Sequence, residues 1–182
     1  NTVYGEFSPS FYGDNKVLIT SDRRTEGRKA SKSTNQDYSK LFVAKENLSG
    51  NLLNVNKFKG VPESSFHQAT PFYSEEIEQF FFVLSNEKDG EMLFGDIGKN
   101  ALSIGAVDKN GTFKFILRDL NTSFYYPFYD AKTDRLYFAA NFEDSYGGTD
   151  IYYINTNKGN VMSAPINLGP GINTPGNEIA PY

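Results

Sequence analysis

The chain has 182 residues and a mass of 20.4 kDa, enough for one ordinary domain with a substantial core. Its net charge is -4 and its pI near 5.1, without the basic excess of a general nucleic-acid binder. No apolar run approaches the roughly 18 to 20 residues that cross a bilayer as a helix, and the absence of cysteine excludes disulfides, thiolate zinc sites and cysteine nucleophiles.

The first apolar features are "EFSPSFY" around Pro9 and the continuous run "KVLITSD" (16–22). A long polar insertion follows, "RRTEGRKASKSTNQD" (23–37), with Arg23, Arg24, Arg28, Lys29 and Lys32 set against Glu26 and Asp37. Next come the strand-like "KLFVAKE" (40–46), a Gly-bearing turn "NLSGN" (47–51) and the more polar "LLNVNKF" (52–58). The same order then repeats. "QATPFY" at Pro71 precedes "QFFFVLSN" (79–86), an insertion "EKDGEMLFGDIGKN" (87–100), "ALSIGAV" (101–107), the turn "DKNG" (108–111) and "TFKFILR" (112–118). A third round holds "YYPFYD" at Pro127, "RLYFAAN" (135–141), "DIYYIN" (150–155), "TNKGN" (156–160) and "MSAPINL" (162–168). The sequence finishes on "NTPGNEIAPY" (173–182), in which Pro181 again precedes an aromatic residue.

Pro9, Pro71, Pro127 and Pro181 lie 62, 56 and 54 residues apart. A recurrence at this period marks a repeat architecture. Helical periodicity is absent. The second run of each repeat is continuously apolar, as in a strand covered on both faces, whereas the fourth is mixed, as near a solvated edge. These features predict an all-β fold: a partial β-propeller of three four-stranded antiparallel blades, at about 1–60, 61–119 and 120–172, plus the first strand of a fourth blade at 173–182. An immunoglobulin-like sandwich would show alternation in most strands and no such recurrence. Propellers close with roughly 4 to 8 blades, so the chain is expected to be part of a longer protein, or else to close a ring as two copies.

Candidate sites are few. His67 is the only histidine, and without a Gly-x-Ser-x-Gly elbow it reads as a loop or strand-edge residue rather than a triad member. Glu6, Gln68, Phe124 and Glu178 stand three residues before the four prolines. A propeller glycosidase would place two carboxylates at the channel mouth; with Gln and Phe in the middle two slots, structural hydrogen bonding is the preferred reading. The basic insertion is either a solvated loop or a docking site for an acidic partner, and its five cations are the first choice for a partner contact. Met92, Leu93 and Phe94 either fold back or form an apolar contact patch. "DKNG" lacks the length and the bidentate Glu of a calcium loop and reads as a hairpin turn. No catalytic residue, cofactor or metal site is expected.

The stretch "FYDAKTDRLYFAANFEDSYGGTDIYYI…PINLGPGINTPGNEIAPY" closely resembles the TolB-like, WD-related propeller repeats of bacterial envelope proteins. It is most similar to those of OmpA-family proteins of the PorE type, in type IX secretion and gliding. The resemblance is specific over the third repeat and looser over the first two. It implies an extracytoplasmic, non-catalytic scaffold at the periplasmic side of the outer membrane. Its partners would be envelope proteins of the secretion machinery, with peptidoglycan reached only through an OmpA-like domain that this sequence does not contain. In that pattern Gly147 and Gly148 are expected at positive φ in the turn before the third strand, with Asp150 accepting backbone hydrogen bonds to fix it. Pro9, Pro71, Pro127 and Pro181 are expected to start inner strands, where a missing N–H is tolerated. The alternative of a different class is the accessory propeller of a hydrolase, a serine peptidase or a glycosidase.

Overall fold

The computed structural model describes residues 4–24 and 37–182. Among the described residues there is no helix, and the chain is all-β, built from antiparallel sheets of which none is closed. The first sheet is a meander of β1 (Glu6–Phe11), β2 (Lys16–Ser21), β3 (Lys40–Glu46) and β4 (Leu52–Lys57), side by side in that order. The second opens with β5 (Gln68–Ser74) and β6 (Gln79–Ser85). A small separate hairpin, β7 (Glu87–Lys88) and β8 (Glu91–Met92), occupies the insertion, and β9 (Leu102–Val107) and β10 (Phe113–Leu117) complete the sheet. The third contains β11 (Phe124–Asp130), β12 (Arg135–Ala140) and β13 (Asp150–Asn157), whose outer edge carries β14 (Asn160–Val161) and β15 (Ile166–Asn167).

Each first hairpin is built alike. Asn15, Glu78 and Asp134, the residues just before β2, β6 and β12, turn the chain at φ 54°, 50° and 52°. The pairings Glu6 with Ser21, Gln68 with Leu84 and Phe124 with Ala140 then occupy one register in all three sheets. Three residues further on, the ladder breaks: the register shifts between Phe7 and Ser10, between Ala69 and Phe72, and between Tyr125 and Phe128. Pro9, Pro71 and Pro127 sit in these bulges. They lie at the fourth position of β1, β5 and β11, not at the strand starts expected from sequence. A bulge leaves backbone groups outside the ladder, so a residue without an N–H costs nothing there. The residue before each proline is left-handed: Ser8 (φ 51°), Thr70 (φ 45°) and Tyr126 (φ 51°).

Alternation along the middle strands decides how the sheets stack. Phe81 and Val83 of β6, with Ile104 and Ala106 of β9, form one core with Leu136, Phe138, Ala140, Tyr152 and Ile154 of the third sheet. Their sequence neighbours Phe82, Leu84 and Val107 turn the other way and pack with Leu18 and Leu41 of the first sheet, closed by Phe58. The second sheet is therefore covered on both faces, which is why "FFFVL" and "LSIGAV" read as continuous apolar runs. In each contact the side of a sheet that carries the third residue of its second strand (Leu18, Phe81) meets the opposite side of the next sheet. The stacking is head to tail.

Two segments depart from expectation. Of the outer strand expected at 162–168 only Ile166–Asn167 forms, as β15, and a two-residue β14 forms earlier, at Asn160–Val161. Pro165 offers no N–H, and Ser163 Oγ takes the N–H of Asn155 (2.9 Å) in place of a ladder bond. Residues 173–182, expected as a first strand, form no ladder. In the other sheets the first strand is held by pairing with the second strand of the same sheet. Yet Ala180 has φ 54°, the same twist that precedes the other three prolines.

Candidate functional site

The four Pro-aromatic segments, far apart in sequence, meet in space. Residues 8–11, 70–73, 126–128 and 180–182 line one cleft of about 770 Å³. Its walls are proline and aromatic rings. Phe72 meets Phe128 edge to face at 5.2 Å between centroids, and Phe128 meets Tyr182 at 6.0 Å. Phe11 and Tyr182 are 76% and 108% exposed, and among the described residues no aromatic ring but Phe128, against Tyr182, meets either. The bulges shape this surface: by twisting the chain at the pre-proline residue, they swing Phe72 and Phe128 out of the alternation of their strands, and Ala180 has the same twist before Pro181 and Tyr182.

A second cleft of about 470 Å³ continues from the first past Phe11, Phe72, Tyr73 and Phe128 to the turns that follow β5 and β11. There it is lined by Glu75, Glu76 and Asp130 against a single cation, Lys132. Ser74 Oγ donates to Glu76 (2.9 Å), and the Lys132 N–H and Thr133 Oγ1 donate to Asp130 (3.0 and 2.7 Å). Bonding to its own backbone N–H and to Ser74 holds the Glu76 carboxyl below its usual range. The Thr133 hydroxyl and the Lys132 N–H do the same for Asp130. Both carboxyls are ionised at neutral pH. Beneath them, burial and the hydrogen bond to Asp134 push the Tyr129 hydroxyl up to about 12, fixing it as a donor (2.6 Å).

The residues singled out by sequence are dispersed. Glu6 pairs with Arg23. Gln68 is buried and donates to the Pro62 carbonyl (2.7 Å), Phe124 lies in the core, and Glu178 accepts from Thr174 N–H and Oγ1 (2.9 and 2.5 Å). None of the four lines either cleft. Arg23 also bonds Ser21 Oγ and lies over the Phe42 ring at 5.1 Å, and Arg24 is 3.9 Å from Asp37. Arg28, Lys29 and Lys32 fall outside the described residues. In the second insertion Phe94 is exposed, while Met92 and Leu93 are half-buried. His67 is half-buried at the seam of the first two sheets, where its Nδ1 accepts the Ser39 N–H (3.1 Å) beside the Tyr38 ring. Burial, then the neighbouring Lys40 ammonium, lower its pKa.

Gly147 and Gly148 do not have positive φ, contrary to expectation. What requires glycine is close approach: a β-carbon at Gly147 would lie 2.3 Å from the Gly176 carbonyl oxygen, and one at Gly148 1.9 Å from Asn177 Oδ1. The "YGG" loop and "PGN" thus interlock, tied by Gly148 N–H to Gly176 O (2.8 Å) and Thr149 N–H to Asn177 Oδ1 (2.9 Å). Asp150 is fully buried and accepts from Tyr146 N–H and Asn167 Nδ2, both at 2.8 Å, closing the same loop.

Sequence reading missed the acidic end of the cleft, whose signal is an acid within a few residues of the second and third Pro-aromatic pairs, in "PFYSEE" and "PFYD". It also missed two buried asparagines. Asn86 joins Ala101 O, Asp119 O, Ser103 and Arg118, and Asn173 both accepts from and donates to the Ile151 backbone (2.8 and 3.0 Å). Among the described residues no group of three or more His, Asp or Glu is placed to hold a metal ion, and no helix is long and apolar enough to cross a membrane. No family model matches the chain, and no curated protein matches it.

Proposed function

We propose that the three sheets are successive blades of a β-propeller, that residues 173–182 begin a fourth, and that this propeller is a non-catalytic adaptor. One observation carries the reading. A left-handed residue, a proline and an aromatic recur four times, and all four copies border one cleft, as inner strands do around an axis. Head-to-tail stacking of the sheets supports it, since a repeated heterologous contact is what generates a ring. The adaptor role and its place at the periplasmic side of the outer membrane, among type IX secretion or gliding components, follow from the resemblance of the third repeat to PorE-type propellers. Peptidoglycan would be reached through an OmpA-like domain outside this sequence.

The test is capture. The immobilised chain is expected to retain a defined outer-membrane-associated protein from a solubilised envelope fraction, and to do so equally with Glu6→Gln and Glu178→Gln together. Hydrolysis of a glycoside, ester or peptide substrate that is abolished by that double substitution would overturn the reading.

A further inference from the structure

We infer that the aromatic cleft and its acidic end form one peptide-binding groove, taking an extended segment of a partner protein in which apolar residues are followed by arginine or lysine. The inference deepens the adaptor reading and rests on it for the existence of a partner; it does not depend on the sheets closing into a ring.

The first cleft has the size of a ligand site, which typically runs to about 300–1,000 Å³. It offers rings rather than charges, and Phe11 and Tyr182 leave large apolar areas in water. Aromatic side chains of this kind are what anchor binding energy when a partner covers them. The continuation of the cleft is different in kind. Three carboxylates face one ammonium there, giving a formal charge of -2 on the wall. Hydrogen bonds from Ser74, Thr133 and the Lys132 backbone hold two of the three carboxylates in place, so they present fixed negative charge rather than mobile side chains. Such a wall repels phosphate and anionic headgroups and attracts a cation. The two clefts share Phe11, Phe72, Tyr73 and Phe128, so a ligand filling the first meets the acids at its end. The order of the ligand is thereby set: apolar body, then a positive charge. Proline suits the body, because a chain already extended loses less entropy on binding, and its ring packs on aromatic faces.

The experiment uses a fluorescein-labelled peptide of alternating leucine and proline closed by two arginines, and a control closed by two glutamates, with anisotropy as the readout. The arginine peptide is expected to bind at least about tenfold more tightly, with the difference shrinking as salt is raised. Glu75→Gln with Glu76→Gln, both exposed positions, should weaken the arginine peptide several-fold and tighten the control, narrowing the gap between the two. Phe11→Ser with Tyr182→Ser should weaken both peptides. Equal affinity for the two peptides, no binding of either, or indifference to the Phe11 and Tyr182 changes would each overturn the groove. So would a dimer in sedimentation that these two changes dissolve, since a second copy would then be the occupant. An envelope partner still captured by the Phe11→Ser, Tyr182→Ser protein would remove the groove and leave the adaptor reading standing.

Discussion

At Gly148 the distance available to a β-carbon, 1.9 Å to Asn177 Oδ1, is far inside van der Waals contact, and at Gly147 the obstacle is backbone. Gly148→Ala has some relief, because Asn177 is an exposed side chain that can swing away at the loss of its bond to Thr149. Gly147→Ala has none, since the Gly176 carbonyl and Pro175 cannot move without unlocking the loop. The expected order of stability is wild type, then Gly148→Ala, then Gly147→Ala, the last lower by about 1–3 kcal/mol, as for overpacking elsewhere; urea midpoints with unchanged slopes would show it. His67 supplies a second residue-scale test. Its pKa is lowered from 6.5 in the folded chain, by burial and by Lys40, so below that pH the unfolded chain takes up a proton that the folded chain resists. The stability gained from the neutral ring is present above pH 6.5 and is lost as pH falls through 6.5 toward the folded value. Because the chain has no other histidine, His67→Gln is expected to flatten the urea midpoint between pH 7.5 and 5.5. Identical slopes in the two proteins would show that His67 is not the group responsible.

At the scale of elements, the bulged first strands hold the sheets together as well as shaping the cleft. Thr70, left-handed in the β5 bulge, cannot direct its N–H into its own ladder, and donates it to Thr20 Oγ1 of the first sheet (2.8 Å). Thr20 is fully buried, and the equivalent positions in the other sheets are Val83 and Ala139. Thr20→Val keeps the shape but strands a buried N–H, so a loss of about 1–3 kcal/mol is expected, with faster amide exchange at Thr70 as its local signature. A loss of stability without that change in exchange would place the effect elsewhere. These strands also mark the boundary of what could be read beforehand. β6 was legible because a strand covered on both faces must be apolar at every position, and "FFFVL" has no other economical use; β2 and β12 were legible as apolar runs at the same place in the repeat. The bulges were not legible: Pro9, Pro71 and Pro127 announce an interrupted ladder, but where the interruption falls depends on register with a partner strand. The glycine pair was recognised and its reason mistaken, because sequence does not distinguish a residue that needs positive φ from one that needs room. At the candidate site the aromatic half was implicit in the Pro-aromatic recurrence. The acids escaped notice because Glu75 and Glu76 sit in a turn and Asp130 ends β11 at the next one, where polar residues call for no explanation.

At the scale of the molecule, the head-to-tail stacking makes the same strand position mean different things in different sheets. The third residue of the second strand is Leu18, Phe81 and Tyr137 in turn. Phe81 is fully buried and stacks on Tyr129 of the third sheet at 5.6 Å and 18°. Tyr137 looks away from the second sheet and is half-buried, touching Tyr153 and Phe128 of its own sheet. Phe81→Ala should therefore cost about 3–5 kcal/mol, whereas Tyr137→Ala should cost much less. In an array where each unit touches only its neighbours, stability is nearly a sum of unit and interface contributions, and a weakened interface lets one part open alone. The void left at Phe81 lies between the second and third sheets and leaves the contact of Leu18 and Leu41 with Phe82 untouched. Hydrogen exchange in the Phe81→Ala protein is accordingly expected to quicken most across β11, β12 and β13, with β2 and β3 keeping more of their protection. A uniform loss across all three sheets, or an equal penalty at Tyr137, would mean that the chain folds as one indivisible core rather than as stacked wedges.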